Sequence, residues 1–264
     1  PPFVLANTLG KDRDKEDDAI QLARLAIQSP SLFYQVTKRD MDVIWLRECL
    51  RARIDAMKAR IACEQRLNQH MIGGIFCSPD GQYPEGKIEQ HFDSLKANDT
   101  IYQALLKEEK ARERELTKAC EILEIYRKIF KPVEGCGPMI ASRLIGAIID
   151  IRRFETEAKL RAFCGVHLRD GQFPRRRNNQ IANWHNDCRQ ALFLLGDQFN
   201  RRPGSVWGQK LLAAKEKYRS THPEVVVENG KKRYTPGHIH RMATWYTLGK
   251  FAEWLFGEWW KLAE

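Results

Sequence analysis

Apolar residues recur every three or four positions through residues 38–72. Steps of four, four, three and four keep one face of an α-helix apolar, at Leu46, Leu50, Ile54, Met57 and Ile61. Arginine and lysine residues fill much of the remaining surface. The pattern predicts one long helix that packs against a second helix through this apolar seam, as in a coiled coil.

A second long amphipathic pattern covers residues 104–130. Its apolar positions alternate with two runs of mixed charge, 107–110 and 112–115, which are typical of a solvated, ion-paired helix face. About thirty residues separate the two patterns. We expect the two helices to pack antiparallel, either within one chain or across a homo-oligomer.

Shorter helical patterns lie on either side of this pair, at residues 15–28, 138–149, 155–164, 181–199 and 238–262. The last of them is rich in aromatic residues, whose expected role is packing into a core or a partner; base stacking is the alternative. Strand signals are confined to residues 3–5 and 225–227. The sequence therefore predicts a mainly α fold.

The net charge of +10 lies in the C-terminal part of the chain. Residues 151–264 hold 21 Lys and Arg against 11 Asp and Glu, residues 1–100 hold 14 against 15, and residues 101–150 hold 9 against 8. This asymmetry favours a polyanionic partner; a solvated basic face is the alternative. The seven cysteines include no Cys-x-x-Cys pair, and no apolar run approaches the ~20 residues of a membrane span. Both features favour reduced thiols and a cytoplasmic protein.

A glycine turn precedes the helix expected at 138–149. Gly135 and Gly137 flank one residue, and glycines this close suit a tight turn with bare backbone amides. Because a helix N-terminus attracts anions, the turn is typical of a helix-hairpin-helix element that binds a nucleic-acid phosphate; an ordinary turn is the alternative. The candidate DNA-binding residues are Gly135, Gly137, Arg143, Arg152, Arg153, Arg169, Arg175, Arg176, Arg177, Lys231, Lys232 and Arg233.

Motifs occur in a fixed order along nearly the whole chain. They are K-D-R-D-K-E-D-D-A at 11–19, L-R-E-C-L-R-A-R at 46–53, G-C-G-P-M-I-A-S-R-L at 135–144, D-I-R-R-F at 150–154, and Y-T-P-G-H-I-H-R-M-A at 234–243. Together they resemble the IS110 family of insertion-sequence transposases, also called bridge-RNA-guided recombinases. In order, they are similar to the end of a RuvC-like nuclease domain, the start of a coiled coil, and the C-terminal domain with its last helix.

The resemblance implies DNA transposition by cleavage and strand exchange. It implies four RuvC-type carboxylates with magnesium, a serine nucleophile in the C-terminal domain, and a structured guide RNA that pairs with DNA. It also implies three regions in this chain. These are a remnant of the RuvC-like α/β domain at 1–37, a helical coiled-coil region at 38–130, and a basic transposase domain with the helix-hairpin-helix at 131–264.

Two features depart from the family pattern, and the first is the set of carboxylates. The chain begins just before the last helix of the RuvC-like domain, so most of that domain is expected to be missing. Asp18 takes the last acidic position and is the candidate catalytic residue and magnesium ligand. Asp14, four residues earlier on the same helix face, is its candidate partner. Because magnesium needs several converging oxygens, an acid-rich helix start without a metal is the alternative.

The second departure is the serine. No serine lies between Ser142 and Ser205, and Asp170 stands at the nearest match to the family position. A carboxylate cannot form the phosphoserine-type linkage that a hydroxyl forms. We expect the Ser142 hydroxyl to be buried or turned toward its own helix.

A zinc site is a competing interpretation of the same region. Cys164-x-x-His167 and His185-x-x-Cys188 offer two thiols and two imidazoles, which is enough for a tetrahedral site. However, both pairs lie at predicted helix ends. The family resemblance also places Cys188 where the family has a core leucine, and a free cysteine there acts as a small buried apolar residue.

We therefore interpret the chain as a transposase-family DNA recombination protein that is truncated and catalytically incomplete. The alternative is a non-catalytic nucleic-acid-binding module, and a zinc-stabilised scaffold is a third possibility.

Overall fold

The computed structural model describes residues 15–30, 33, 36–77, 88–168, 174, 182, 184–228 and 230–264. Its helices are α1 (Lys15–Gln28), α2 (Met41–Phe76), α3 (Ile88–Asn98), α4 (Thr100–Ile122), α5 (Pro138–Ile148), α6 (Glu157–Cys164), α7 (Asn186–Arg201), α8 (Val206–Thr221) and α9 (Pro236–Ala263). The predicted mainly α fold is confirmed. Among the described residues, no helix has both the length and the apolar character that a membrane span needs.

Short elements connect the helices. Lys38–Asp40 and Ile151–Arg153 form single 3-10 turns, and Tyr126–Phe130 forms a π-helical turn. Strands β1 (Val226–Glu228) and β2 (Lys231–Arg233) pair antiparallel. The strand expected at 225–227 is thus confirmed as β1, one residue further on, whereas residues 3–5 lie outside the described residues.

Helices α2 and α4 pack against each other within one chain. Near the start of α2, the Cys49 thiol lies close enough to Glu115 and Cys120 to affect the pKa values of both thiols. Further along α2, Arg60 reaches back to Glu109. Rising numbers in α2 therefore meet falling numbers in α4, and the expected antiparallel packing is confirmed.

The apolar seam of α2 extends over only part of its length. Leu46 is fully buried and Leu50 nearly so, but Ile61 is 37% exposed, so its predicted burial is wrong. Opposite this part of α2 the contact is ionic. The buried Glu109 carboxylate pairs with Arg60 and, at 3.3 Å, with Nη2 of Arg53. Charged groups contribute to the outer half of the helical pair, together with two separately buried residues, Cys63 and Tyr102, and the continuous apolar core holds its base.

The second long helix ends earlier than the pattern predicted. Residues 104–130 were expected to be continuous, but α4 stops at Ile122 and Leu123 has an extended backbone. The Arg127 guanidinium donates hydrogen bonds to the carbonyl oxygens of Glu121 and Ile122, at 2.7 and 2.9 Å. Cations that bind the last carbonyls of a helix stabilise its C-terminus, which favours the break.

One continuous core joins the base of the helical pair to the C-terminal helices. Its largest fully buried side chains include Leu46, Leu116, Phe130, Leu144, Leu160, Leu195, Phe199 and Phe251. Helix α2 also lies directly against α5. A Cβ added to Gly146 would approach Cγ of Arg47 to 2.9 Å. The predicted boundary between residues 130 and 131 stays a prediction, and the segments on its two sides share this core.

Candidate nucleic-acid interface

Gly135 lies in a turn that only glycine accommodates well. Its φ of +88° is a conformation that side chains with a Cβ disfavour. An added Cβ would also lie 2.7 Å from Cβ of Gln198 on α7. The backbone conformation and the close packing therefore both require glycine at this position.

Gly137 is the N-cap of α5 and faces open space. An added Cβ there would meet no atom within 4 Å. No side chain caps the first turn, and Pro138 fills the first helical position. Pro138 has no N–H, and the N–H of Ile140 bonds the Gly137 carbonyl oxygen, so an anion is attracted here mainly by the positive end of the helix dipole. The predicted turn and helix start are thus present, in an exposed arrangement.

The Arg202 side chain lies beside the glycine turn. One of its guanidinium nitrogens, Nη1, is 3.4 Å from the place that a Cβ on Gly135 would take. The same atom donates a hydrogen bond to Oε1 of Gln198, and the side chain is exposed. The sequence analysis did not select Arg202. Its only signal is an Arg-Arg pair after a helix, and the approach of the end of α7 to the turn is a tertiary contact.

Three of the predicted DNA-binding arginines make contacts within the protein. The Arg143 guanidinium donates to Oε1 of Gln190 at 2.5 Å and so connects α5 to α7. Nε of Arg152 pairs with the buried Asp150 carboxylate at 3.0 Å. These contacts fix the two side chains locally, and a role in binding DNA stays a prediction.

Arg153 holds the other end of α5. Its Nη1 donates to the carbonyl oxygens of Ile148 and Ala147, at 2.7 and 3.2 Å. A cation at this position satisfies carbonyls that have no partner inside the helix. A structural role is therefore established for Arg153, beside its predicted contact with DNA.

The basic loop, residues 169–179, contains Arg169, Arg175, Arg176 and Arg177, and these four residues lie outside the described residues. A contact that holds the chain on both sides of Arg169 is described. The Arg189 guanidinium donates to the carbonyl oxygens of Gly165 and Pro174. It also lies 4.4 Å from the ring centroid of Trp184 and 4.9 Å from that of Trp245. The chain on either side of Arg169 is thereby tied to α7.

The β-hairpin carries the last predicted basic cluster. Lys232 is exposed and stands opposite Val227, and Arg233 is half-buried opposite Val226. Lys231 lies in β2, but its side chain is outside the described part of the structure. The cluster is thus on a short hairpin between α8 and α9.

The two carboxylates proposed as magnesium ligands, those of Asp14 and Asp18, lie outside the part of the structure that is described. The backbone of Asp18 lies in α1, its side chain is outside the described residues, and Asp14 is outside them altogether. Over the described ranges, no group of three or more His, Cys, Asp or Glu could hold a metal ion. The donors described here do not fit a divalent metal, although the family as a whole is expected to use one.

Ser142 is fully buried, and its hydroxyl donates to the Met139 carbonyl in its own helix at 3.3 Å. The expectation of a buried or helix-facing hydroxyl is confirmed. Asp170, the nearest match to the family serine position, lies outside the described residues.

The thiols of the competing zinc interpretation are packed inside the core. Cys164 and Cys188 are 1% and 0% exposed and interact with each other, and burial raises the pKa of the Cys188 thiol. His185 stacks against Phe163 with ring centroids 5.2 Å apart, and burial lowers its pKa. Cys188 therefore behaves as a small apolar core residue, as its sequence position predicted.

Together these features define a structural class. The protein is helical, with an antiparallel helical pair joined to a basic domain that contains an exposed glycine turn at a helix start. Residues 127–196 match the model of the Transposase IS116/IS110/IS902 family. The match runs from the π-helical turn through the glycine turn, α5 and α6 into α7. The chain thus carries a domain of this transposase family at these residues, where the resemblance found in its sequence is confirmed. No curated protein and no solved structure matches it.

Proposed function

We propose that the chain binds the DNA backbone during transposition, with the glycine turn and the start of α5 as a phosphate site. The observation that carries the proposal is the juxtaposition of Gly135, the exposed N-cap Gly137 and the Arg202 guanidinium. Backbone N–H groups and a helix dipole bind a phosphate without contacting a base. A guanidinium beside them adds charge-assisted hydrogen bonds.

Arg202→Gln tests this site, and Arg201→Gln is the matched control. Both arginines are exposed at the end of α7, but Arg201 pairs with Asp197 at 2.8 Å. We expect Arg202→Gln to weaken binding to duplex DNA for all sequences alike and to lower the salt slope by about one unit. Arg201→Gln should change either quantity much less. Equal effects of the two variants, or no effect of Arg202→Gln, would refute the phosphate site.

The basic loop and the hairpin supply further phosphate contacts in this proposal, through Arg169, Arg175, Arg176, Arg177, Lys231, Lys232 and Arg233. Arg143, Arg152 and Arg153 would then support the site mainly by holding α5. About six phosphate contacts would cost ~10³-fold in affinity between ~50 and ~200 mM salt. The triple change of Arg175, Arg176 and Arg177 to Ala should weaken binding for every sequence, which filter binding at several salt concentrations measures.

These 264 residues are proposed not to cut or join DNA unaided. Asp14 and Asp18 supply fewer oxygens than a RuvC-type magnesium site needs, and the nearest match to the family serine position carries Asp170. The lack of a serine there favours the second candidate function, a non-catalytic nucleic-acid-binding module. Incubation with magnesium or manganese and supercoiled or branched DNA tests the proposal. Metal-dependent nicking that Asp18→Ala abolishes would overturn it.

A structured guide RNA and a second copy of the chain are the further partners that we propose, with the cytoplasm as the location. The basic C-terminal part can bind RNA phosphates as it binds those of DNA. Exposed apolar residues on the helical pair, including Trp45 and Ile101, offer contact surface for another copy. Light scattering of the chain, alone and with a structured RNA, measures both forms of assembly.

A further inference from the structure

A cleft of about 480 Å³ runs between α8 and α9. Its floor is formed by the small residues Ala214 and Thr247, both buried, while Ala213 lines it and is exposed. Small side chains facing each other leave space between two otherwise closely packed helices. The volume lies within the range of roughly 300–1,000 Å³ that is usual for organic ligands.

Aromatic rings form the walls of this α8–α9 cleft. Tyr246 and Trp254 are half-buried on the same face of α9, since they are eight residues, or about two turns, apart. Trp254 is held edge-on by Trp207, with ring centroids 5.6 Å apart. Both side chains line the cleft and keep part of their surface exposed.

Lysines line the edges of the cleft. Nζ of Lys210 lies 4.0 Å from the ring centroid of Trp207, and Nζ of Lys217 lies 5.3 Å from that of Tyr246. Lys250, on the opposite edge, pairs with Glu253 at 2.7 Å, and Arg161 also pairs with this carboxylate at 2.8 Å. The lining acid is therefore neutralised. Within the described part of the chain, Lys210 and Lys217 have aromatic rather than acidic neighbours.

An apolar, aromatic-walled cleft with cationic edges matches one ligand chemistry. A planar aromatic group bound inside would stack on a ring, and anionic groups on either side of it would reach the lysines. A nucleotide within a single strand has this form, because its base is flanked by two phosphates. A duplex does not, because its bases are already stacked and paired. An apolar peptide would leave Lys210 and Lys217 without anionic partners.

We propose that the α8–α9 cleft binds one unstacked base of a single nucleic-acid strand, with Lys210, Lys217 and Lys250 on the neighbouring phosphates. The proposal deepens the proposed function, since it names the form of nucleic acid that this part of the domain binds. It uses a different surface from the glycine turn. Base stacking on α9, the alternative role of the aromatic helix, is thereby confined to Tyr246 and Trp254, while Phe251 and Trp259 belong to the core.

The central experiment compares two strands of equal length and charge. One is a short oligothymidine, and the other lacks its central bases while keeping the sugar–phosphate chain. Fluorescence anisotropy with the full chain should show roughly tenfold weaker binding of the abasic strand, because base–aromatic stacking is lost. Equal affinity for the two strands would overturn the proposal. A matched oligouridine separates DNA from RNA as the source of the base, since the cleft chemistry is common to both.

Two kinds of variant locate the effect. Ala213→Trp fills the cleft from an exposed position, so it should remove the difference between normal and abasic strands. Lys210→Gln with Lys217→Gln should weaken binding of both strands but leave duplex binding nearly unchanged. Lys159→Gln with Lys261→Gln is the charge-matched control, because both of these lysines are exposed and paired with neighbouring glutamates. Thermal melting checks that each variant folds.

The outcomes separate this proposal from the phosphate site at the glycine turn. One outcome would refute the base-binding proposal and leave the phosphate site intact. It is duplex binding that depends on Arg202, together with no binding of single strands at low salt. Equal losses for duplex and single strand in the Lys210 and Lys217 variant would also refute it, because the lysines would then be general phosphate contacts. If Ala213→Trp changed the oligomeric mass in solution but not the binding of single strands, the base-binding proposal would be wrong. The cleft would then be a contact between copies of the chain.

Discussion

Nη2 of Arg189 donates a hydrogen bond to the carbonyl oxygen of Pro174 at 2.8 Å. Nη1 of the same guanidinium donates to the Gly165 carbonyl at 3.1 Å, and the plane lies near the rings of Trp184 and Trp245. Pro174 immediately precedes the run of three arginines in the basic loop. One planar side chain on α7 therefore fixes the position of the residue from which that run starts.

Arg189→Lys should release this anchor. Lysine keeps the charge but has neither the planar fork nor the stacking surface of arginine. We expect trypsin to cut the loop after Arg175, Arg176 or Arg177 several-fold faster than in the unchanged protein. Mass spectrometry of the early fragments measures the cleavage rate. Arg201→Lys, on the exposed surface of the same helix, is the control, and equal rates in all three proteins would contradict the anchor.

Gly135→Ala should destabilise the fold. The positive φ and the 2.7 Å approach to Cβ of Gln198 both oppose a methyl group. Together they should cost about 2 kcal/mol in the free energy of unfolding.

Gly137→Ser is the matched change, because its side chain meets open space and serine is a favoured N-cap residue. Its stability should be equal to or slightly above that of the unchanged protein. Urea unfolding measures both variants, and similar losses at the two glycines would be inconsistent with the described packing.

Glu109→Gln should weaken the helical pair. Arg53 would then lose its carboxylate partner, and Arg60 would keep only a second one, at 2.8 Å on its own helix. We expect a cost of about 2 kcal/mol after allowance for partial exposure. Glu108→Gln removes the exposed neighbouring carboxylate, which pairs with Arg112 at 2.7 Å. That change should cost no more than about 0.5 kcal/mol. Denaturant unfolding measures the free energy of unfolding of both variants. Equal losses at residues 108 and 109 would argue against the ionic contact.

Acid should destabilise the protein partly through His185. Burial lowers the pKa of this imidazole, as do the cations Arg47 and Arg153, while Asp187 acts in the opposite direction. The unfolded chain therefore binds a proton more readily than the folded one. Stability is fully present above about pH 6.5, the ordinary pKa of histidine, and is lost as the pH falls below it.

His185→Phe keeps an aromatic ring against Phe163 and removes the titration. The fall in melting temperature between about pH 7 and about pH 5 should be smaller in this variant. The pKa of His240 is also lowered, so some acid sensitivity should remain. An unchanged pH profile would show that His185 takes no part.

The sequence predicted the helices with long periodic patterns and failed where a tertiary contact decides. The base of α2 and the aromatic α9 were expected, because their apolar residues recur regularly. Helices α3 and α8 were not expected. Helix α3 has no buried residue among those described, so it carries little apolar signal. The predicted burial of Ile61 was wrong because the neighbouring Arg60 faces α4, where it pairs with Glu109, and the spacing within α2 does not reveal this partner.

The glycine turn was visible in the sequence, since its two glycines and the helix after them are local features. Arg202 was not, because it is 67 residues away from Gly135 in the numbering and reaches the turn only through the packing of α7. The sequence predicted only part of the roles of Arg152 and Arg153. Both were recognised as cations, but their partners, Asp150 and the final carbonyls of α5, appear only once the helix end is placed.

The close contact of Arg47 with Gly146 is a point about which the helical pair can tilt relative to α5. Helix α2 has 36 residues and is about 54 Å long, but only its first turns belong to the core. Because about 44 Å of this length lies beyond Arg47, a tilt of about ten degrees there would move the far end by about 8 Å. Because Gly146 lies on the helix that begins at the glycine turn, we expect a displacement of the distant end of α2 to move the start of α5, where the phosphate site is proposed, by a much smaller distance.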